Sequence, residues 1–234
     1  MTTTRALVIG GASGIGAAVT EGLRTSGAEV LVWDRSGGDV TCDIADADQV
    51  DQATATTLDT FGVPDRVTIT AGVGHGGMLL DVGPDEWDRV MAINAKGVWL
   101  AMRAMARPML DNGGGSIVAT SSVSARLADR SMGIYCASKA ALDMVIRTAA
   151  AEWAPTLRVN GVGPGVTDTP MLGGAPVDGR WLAGVADRTA LGRLGTPADI
   201  AEAIVATHAM SWVTGQIILC DGGLSVHSPI NPLG

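Results

Sequence analysis

Tyr135 is the only tyrosine in this chain of 234 residues, and Lys139, one of two lysines, follows it by four positions. On a helix, residues i and i+4 share a face, so this spacing sets an ammonium beside a phenol. A free phenol titrates at about 10. A neighbouring cation favours the phenolate and draws that value toward neutral pH. Such a pair can give a proton to, or take one from, an alcohol or carbonyl oxygen. The same spacing also occurs as an ordinary contact on solvated helix faces, so the surrounding chain has to decide.

The elements that would position the pair are legible in the hydrophobic pattern. Residues 5–9 form a short apolar run that stops at glycine, as a buried parallel strand does. Gly10-Gly11-Ala12-Ser13-Gly14-Ile15-Gly16 follows, then a helix from Ala17 to about Ser26-Gly27. A second strand over 28–33 ends at Asp34, 18 residues past Gly16. Strand, glycine turn, helix, strand and acid in that order make a mononucleotide-binding unit. One glycine allows the tight turn, one lets the backbone approach a pyrophosphate, and one lets helix and strand pack closely. The helix N-terminus offers free N–H groups and a positive dipole end to that phosphate. Asp34 would accept from the adenosine ribose hydroxyls and repel a 2′-phosphate, favouring NAD over NADP. The adjacent Arg35 is either a partner for that phosphate or a solvated loop cation.

Further along, residues 39–42 read as a third strand ending in Asp43-Ile44, near where an adenine would lie. A polar surface helix covers 45–60, and a fourth strand over 66–70 stops at Ala71-Gly72 before a flexible loop containing His75. One long helix starts near Pro84, with Trp87, Val90, Met91, Val98, Ala101, Met102 and Met105 as its apolar stripe. Asn94 lies within that stripe, either as a core amide bridging to a loop or as a site residue near Lys139. A fifth strand over 115–120 ends in Ser121-Ser122-Val123-Ser124, and the Tyr/Lys helix spans 133–153. A sixth strand over 157–162 precedes Pro164-Gly165, and a seventh covers 216–220. Between them, residues 167–193 are rich in Gly and Pro and read as a substrate lid. Thr196-Pro197-Ala198-Asp199 opens another helix.

Strands and helices alternate without a linker, which predicts one doubly wound α/β domain over residues 1–234: three layers around a seven-stranded parallel sheet. Ligands of such sheets bind outside the strand C-terminal ends, where the glycine turn, Asp34, Asp43, Ala71-Gly72, Ser122 and Pro164-Gly165 all fall. The formal charge of −8 argues against nucleic acid or an anionic membrane as partner. No apolar run approaches the roughly 18 residues of a span, and the N-terminus lacks a signal-peptide core. The three cysteines and three histidines are scattered. The expectation is a soluble, cytoplasmic, metal-free protein.

Over essentially its full length the chain resembles the short-chain dehydrogenase/reductase family, with its Rossmann-type fold. The matching motifs are Gly10-x-x-x-Gly14-x-Gly16, Ala71-Gly72, Asn94, Ser122, Tyr135-x-x-x-Lys139, Pro164-Gly165, Leu191-Gly192-Arg193-Leu194-Gly195-Thr196-Pro197 and Asp221-Gly222-Gly223. Ser122 precedes Tyr135 by 13 residues, the family spacing, which selects it over Ser121 and Ser124. The resemblance implies an NAD(P)-dependent interconversion of a secondary alcohol and a ketone. Tyr135 would be acid and base, and Lys139 would lower its pKa and bind the nicotinamide ribose. Ser122 would hydrogen-bond the substrate oxygen, and Asn94 would hold a water linking Lys139 to solvent.

It further implies a cofactor bed from Gly10, Ser13, Gly14, Ile15, Gly16, Asp34, Arg35, Asp43, Ile44, Ala71, Gly72, Pro164, Gly165 and Thr167, with Tyr135 and Lys139. A homotetramer or homodimer is implied as well, with the Met/Ala-rich helix as a suitable interface. His75, Met132, Met171, Leu172 and Trp181, with Ser122, are expected to border the substrate. Of these, Met171, Leu172 and Trp181 suggest an apolar wall for a cyclic or aliphatic alcohol. His75 and Arg126 are either features for a polar substrate or, more in keeping with their types, a solvated loop histidine and a surface arginine. Two departures from the family pattern stand together: Ile9 replaces a common Thr, and Ile69-Thr70-Ala71-Gly72 replaces a common Asn-Asn-Ala-Gly. The loop after Asp34 is also short. The alternatives to an alcohol dehydrogenase are a cofactor-binding regulator without turnover and a non-redox epimerase or dehydratase.

Overall fold

The structure, a computed structural model, describes residues 3–173 and 178–226. Residues 174–177 of the expected lid and the tail from His227 onward lie outside the described residues. Seven parallel strands run in the order β3-β2-β1-β4-β5-β6-β7. They are β1 (Arg5–Ile9), β2 (Glu29–Asp34), β3 (Val40–Thr41), β4 (Arg66–Ile69), β5 (Gly115–Thr120), β6 (Leu157–Pro164) and β7 (Ile217–Cys220). The strand order reverses between β1 and β4, which is where such sheets open a crevice for a ligand.

Helices cover both faces, because each strand sends alternate apolar residues to either side. Leu7 and Ile9 join one core with Met102, Met105, Met109, Leu142 and Ile146. That core lies under α2 (Ala47–Thr60), α4 (Val98–Asp111) and α5 (Gly133–Trp153). Ala6 and Val8 join the other, with Val19, Leu23, Ile200 and Ile204 from α1 (Gly14–Thr25) and α8 (Pro197–Ala209). The methionines of α4 are therefore core rather than an outer face, leaving Trp99 and the earlier Trp87 partly exposed. The three-layer, doubly wound domain is as expected from the sequence.

Several boundaries differ from the sequence reading. Helix α1 begins at Gly14, inside the glycine motif, rather than at Ala17. Strand β3 has two residues, and β6 continues to Pro164. The single long helix is three pieces: α3 (Pro84–Met91), a π-helical turn (Ala92–Gly97) and α4. Such turns mark places where a helix yields to local contacts. Here a Cβ on Gly97 would lie 2.9 Å from the Ile44 carbonyl, so glycine is what lets the loop after β3 press against this turn. Residues 167–193 carry two helices, α6 (Pro170–Gly173) and α7 (Gly179–Arg188).

Candidate active site

The glycine turn is shaped by contacts that exclude side chains. A Cβ on Gly16 would sit 2.0 Å from the Gly10 carbonyl, and one on Gly10, at φ +83°, would sit 2.5 Å from the Ala71 amide nitrogen. The missing family side chains before and beside this turn are replaced by one residue, Thr70. Its hydroxyl donates to the carbonyls of Gly10 at 3.0 Å and Ile9 at 3.2 Å. The polar type at Thr70, beside a turn rich in main-chain carbonyls, is the sequence signal for this bonding.

The N-terminus of α1 fits a diphosphate. Helices α2, α7 and α8 are capped by the side chains of Asp46, Asp178 and Thr196. At α1, as at α3 and α5, no side chain caps the start, and the first turn of α1 holds no acid. Free N–H groups at a helix start bind anions. Asp34 stands at the end of β2, its carboxylate accepting from Ala12 N at 3.0 Å and Ser36 N at 3.1 Å. The short loop after it is closed by Asp39, which accepts from Val32 N at 2.9 Å. Arg35 is exposed beside Asp34. Asp43 caps its own turn through Ala45 N, and Ile44 is buried in the core with its carbonyl against the π-helical turn at Gly97.

On the far side of the crevice, β5 delivers three serines with three different partners. Ser121 donates to Asp143, and Ser124 donates to Asp129 at 2.5 Å. Ser122, at the start of the 3-10 turn Val123–Ala125, accepts from Ser124 N at 3.1 Å and is the serine that acts to lower the Tyr135 phenol.

Tyr135 and Lys139 lie one turn apart on α5, with the ammonium 5.8 Å from the centre of the phenol ring. Their electrostatics differ from the sequence expectation. Burial holds the Tyr135 phenol above its ordinary value, and Ser122 is what pulls it down. Lys139 is itself buried, which lowers it to about 8, and its ammonium donates to the Thr120 carbonyl at 2.9 Å. A proton on this lysine is therefore exchangeable near neutral pH. Asn94 is held on the π-helical turn. Its amide accepts from Val73 N at 2.8 Å and donates to Val73 O at 2.9 Å and Ser138 Oγ at 3.1 Å. A Cβ on Gly72 would lie 3.2 Å from Asn94 Oδ1 and 3.6 Å from Lys139 Nζ, so Gly72 is the gap between them.

Helix α6 lies against both the glycine turn and the loop after β4. Pro170 lies 3.6 Å from a Cβ placed on Gly14, and Met171 lies 3.5 Å from one placed on Gly74. Met171 and Trp181 are partly exposed, and Leu79, which the sequence reading missed, packs at 3.0 Å from a Cβ on Gly133 at the start of α5. Met132 is the half-buried residue before that helix. His75 is not a solvated loop histidine: its Nδ1 pairs with Glu86 at 2.7 Å, and Glu86 also binds Arg89. Arg126 is exposed and donates to the Ile217 carbonyl. Thr167 donates to the Gly165 carbonyl at 3.1 Å, and a Cβ on Gly165 would meet Asp221 at 2.9 Å.

Comparison with known proteins gives consistent matches. A family model described as Enoyl-(Acyl carrier protein) reductase matches residues 10–225. The chain is 34% identical over 244 residues to the short-chain reductase protein NovJ of Streptomyces niveus, covering 93% of this chain and 92% of that one. It is 35% identical over 238 residues to a cis-4-hydroxycyclohexanecarboxylate dehydrogenase of Sinomonas cyclohexanicum, covering 93% and 95%. Among solved structures, the ligand-free aldohexose dehydrogenase of Thermoplasma acidophilum superposes with a TM-score of 0.92 at 26% identity, covering 99% of this chain and 98% of that one. Among the described residues no helix is long and apolar enough to cross a membrane.

Proposed function

The chain belongs to the short-chain dehydrogenase/reductase family, an NAD(P)-dependent oxidoreductase, and we propose that it interconverts a secondary alcohol and a ketone with Tyr135 as acid and base. The observation that carries this reading is the Tyr135 and Lys139 pair one turn apart on α5, with the ammonium 5.8 Å from the centre of the phenol ring. A bound nicotinamide would supply or accept the hydride at its C4.

The residues of the chain do the rest. The free N–H groups of α1 hold the diphosphate, and Asp34 takes the adenosine ribose hydroxyls, which favours NAD over NADP. Ser122 hydrogen-bonds the substrate oxygen where charge develops in the transition state. Tyr135 gives that oxygen its proton in reduction and removes it in oxidation. Lys139 sets its ammonium 5.8 Å from the phenol ring, where a positive charge favours the phenolate as the proton leaves. Asn94 fixes the loop at Val73 and so the gap at Gly72 through which Lys139 is reached. Segment 167–193 acts as the substrate cover, since α6 bridges the glycine turn and the loop at Gly74.

The exposed Met171, Trp181 and Leu79 favour an alcohol on an apolar carbon skeleton, cyclic or aliphatic. The cyclohexane substrate named for one relative fits that class. A homotetramer or homodimer is proposed on family grounds. The deciding experiment is a panel of secondary alcohols and ketones with NAD(H) and NADP(H), read by NADH absorbance. Stoichiometric NADH change that depends on Tyr135 supports the reading. Turnover without NADH change would replace it with epimerisation or dehydration, and no turnover with any pair would favour a regulator.

A further inference from the structure

The stripe of α5 that carries Tyr135 and Lys139 continues one turn to Asp143, and the chemistry above makes no use of it. Asp143 is 5% exposed and Lys139 4%. A carboxylate at that depth needs partners. Ser121, 1% exposed, donates to it from the end of β5. Three cations face the carboxylate: Arg147 one turn on, Arg126 from the turn after β5, and Lys139 one turn back. Both arginines reach solvent, whereas Lys139 does not.

Seen from the ammonium, the neighbours are Tyr135 and Asp143 on α5, the Thr120 carbonyl on β5, and Asn94 across Gly72 from the π-helical turn. Asp143 is the one carboxyl among these groups. A neutral carbonyl does not by itself offset the burial of a positive charge. Burial drives Lys139 down to about 8 and Asp143 works against it, while burial lifts the Asp143 carboxyl and Ser121 and the cations pull it back. The two groups are committed to Thr120 and Ser121 rather than to each other, so the coupling acts through space inside a poorly screened interior.

We propose that Asp143, clamped by Ser121, is the counter-ion that keeps the Lys139 ammonium charged, a positioning residue that acts on Tyr135 through Lys139. The proposal rests on the acid–base reading of that pair. Its test does not require turnover.

Lys96 and Lys139 are the only lysines in the chain, so lysine isotope-labelled at Cε gives two resonances. Lys96 is exposed, and Lys96→Arg assigns them. Asp143→Asn keeps an acceptor for Ser121 and removes the charge. The expected result is a fall of about one pH unit in the titration midpoint of the Lys139 resonance, a tenfold loss in proton affinity, with Lys96 unmoved. The alkaline limb of the pH profile of kcat/KM for ketone reduction moves down with it. A Lys139 midpoint unchanged from wild type overturns the proposal, whatever the activity. Asp143→Ser is read by the same criterion if circular dichroism shows the amide variant unfolded. A midpoint that shifts in a protein without turnover keeps the counter-ion and rejects the dehydrogenase reading.

Discussion

Thr70 donates its hydroxyl to the Gly10 carbonyl at 3.0 Å, tying the end of β4 to the turn after β1 where the strand order of the sheet reverses. Thr70→Val preserves the shape and removes the donor. A lost hydrogen bond of this kind costs about 1 kcal/mol. The cofactor KM should rise several-fold while kcat at saturating cofactor changes less. Thermal denaturation with NADH titration checks both; an unchanged midpoint and KM would mean the turn holds itself.

Tyr135→Phe removes the exchangeable proton and leaves the ring. Proton transfer by a positioned group contributes about 10²–10⁴-fold, so turnover should fall by that order with NADH affinity kept within a few-fold. Turnover near wild type rejects the acid–base role. The variant also empties the chain of tyrosine, so the phenolate absorbance of wild type reports Tyr135 alone. That titration should lie above the ordinary phenol range in the free protein, because burial raises it.

The three serines after β5 should separate by function. Ser122→Ala removes the partner of the phenol and the donor to the substrate oxygen, with an expected loss of about 10²-fold or more in kcat. Ser124→Ala loses its bond to Asp129 but touches neither group, and should retain most of its turnover. Equal losses in the two would remove the special place given to Ser122.

Asp34→Ala should narrow any preference for NAD over NADP, measured as the ratio of kcat/KM values. Its carboxylate is already oriented by Ala12 N and Ser36 N, so the preference reflects charge at a fixed point. A ratio that stays put would assign the choice to Arg35 or the shape of the short loop.

His208 is fully enclosed, with Thr68 and Ser116 on its two ring nitrogens. Burial first, then Arg66 and Arg158, lowers it from 6.5 to about 3. Between those values the unfolded chain binds a proton that the folded chain does not. Its contribution to stability is therefore present above about pH 6.5 and lost as the pH falls toward 3. In His208→Gln, the drop in Tm from about pH 7 to about pH 5 should be smaller than in wild type. A parallel drop would place acid sensitivity in the carboxylates.

The order of elements and the residues at their C-terminal ends were legible because both follow from short-range pattern: apolar runs cut by glycine, acids at strand ends, a helix spacing of four. The break in the long helix was not. Asn94 leaves the ordinary helical pattern to bond Val73, and Gly97 yields to Ile44, so the π-helical turn is set by residues far away in the chain. His75 was likewise misread as solvated, since its partner Glu86 comes from a different element. Asp143 could have been found, as the next residue on the stripe of Tyr135 and Lys139, but nothing in the sequence said that this stripe faces inward.

The sequence alone determined a doubly wound α/β domain with a nucleotide turn and a Tyr/Lys pair, since hydrophobic period and turn chemistry act over a few residues. The family spacing singled out Ser122, but only the tertiary structure decided which side chains stand next to Ser121, Ser122 and Ser124. Three hydroxyls within four positions are chemically alike, and their roles come from which of Asp143, Tyr135 and Asp129 the packing of α5 and its loop sets opposite each one.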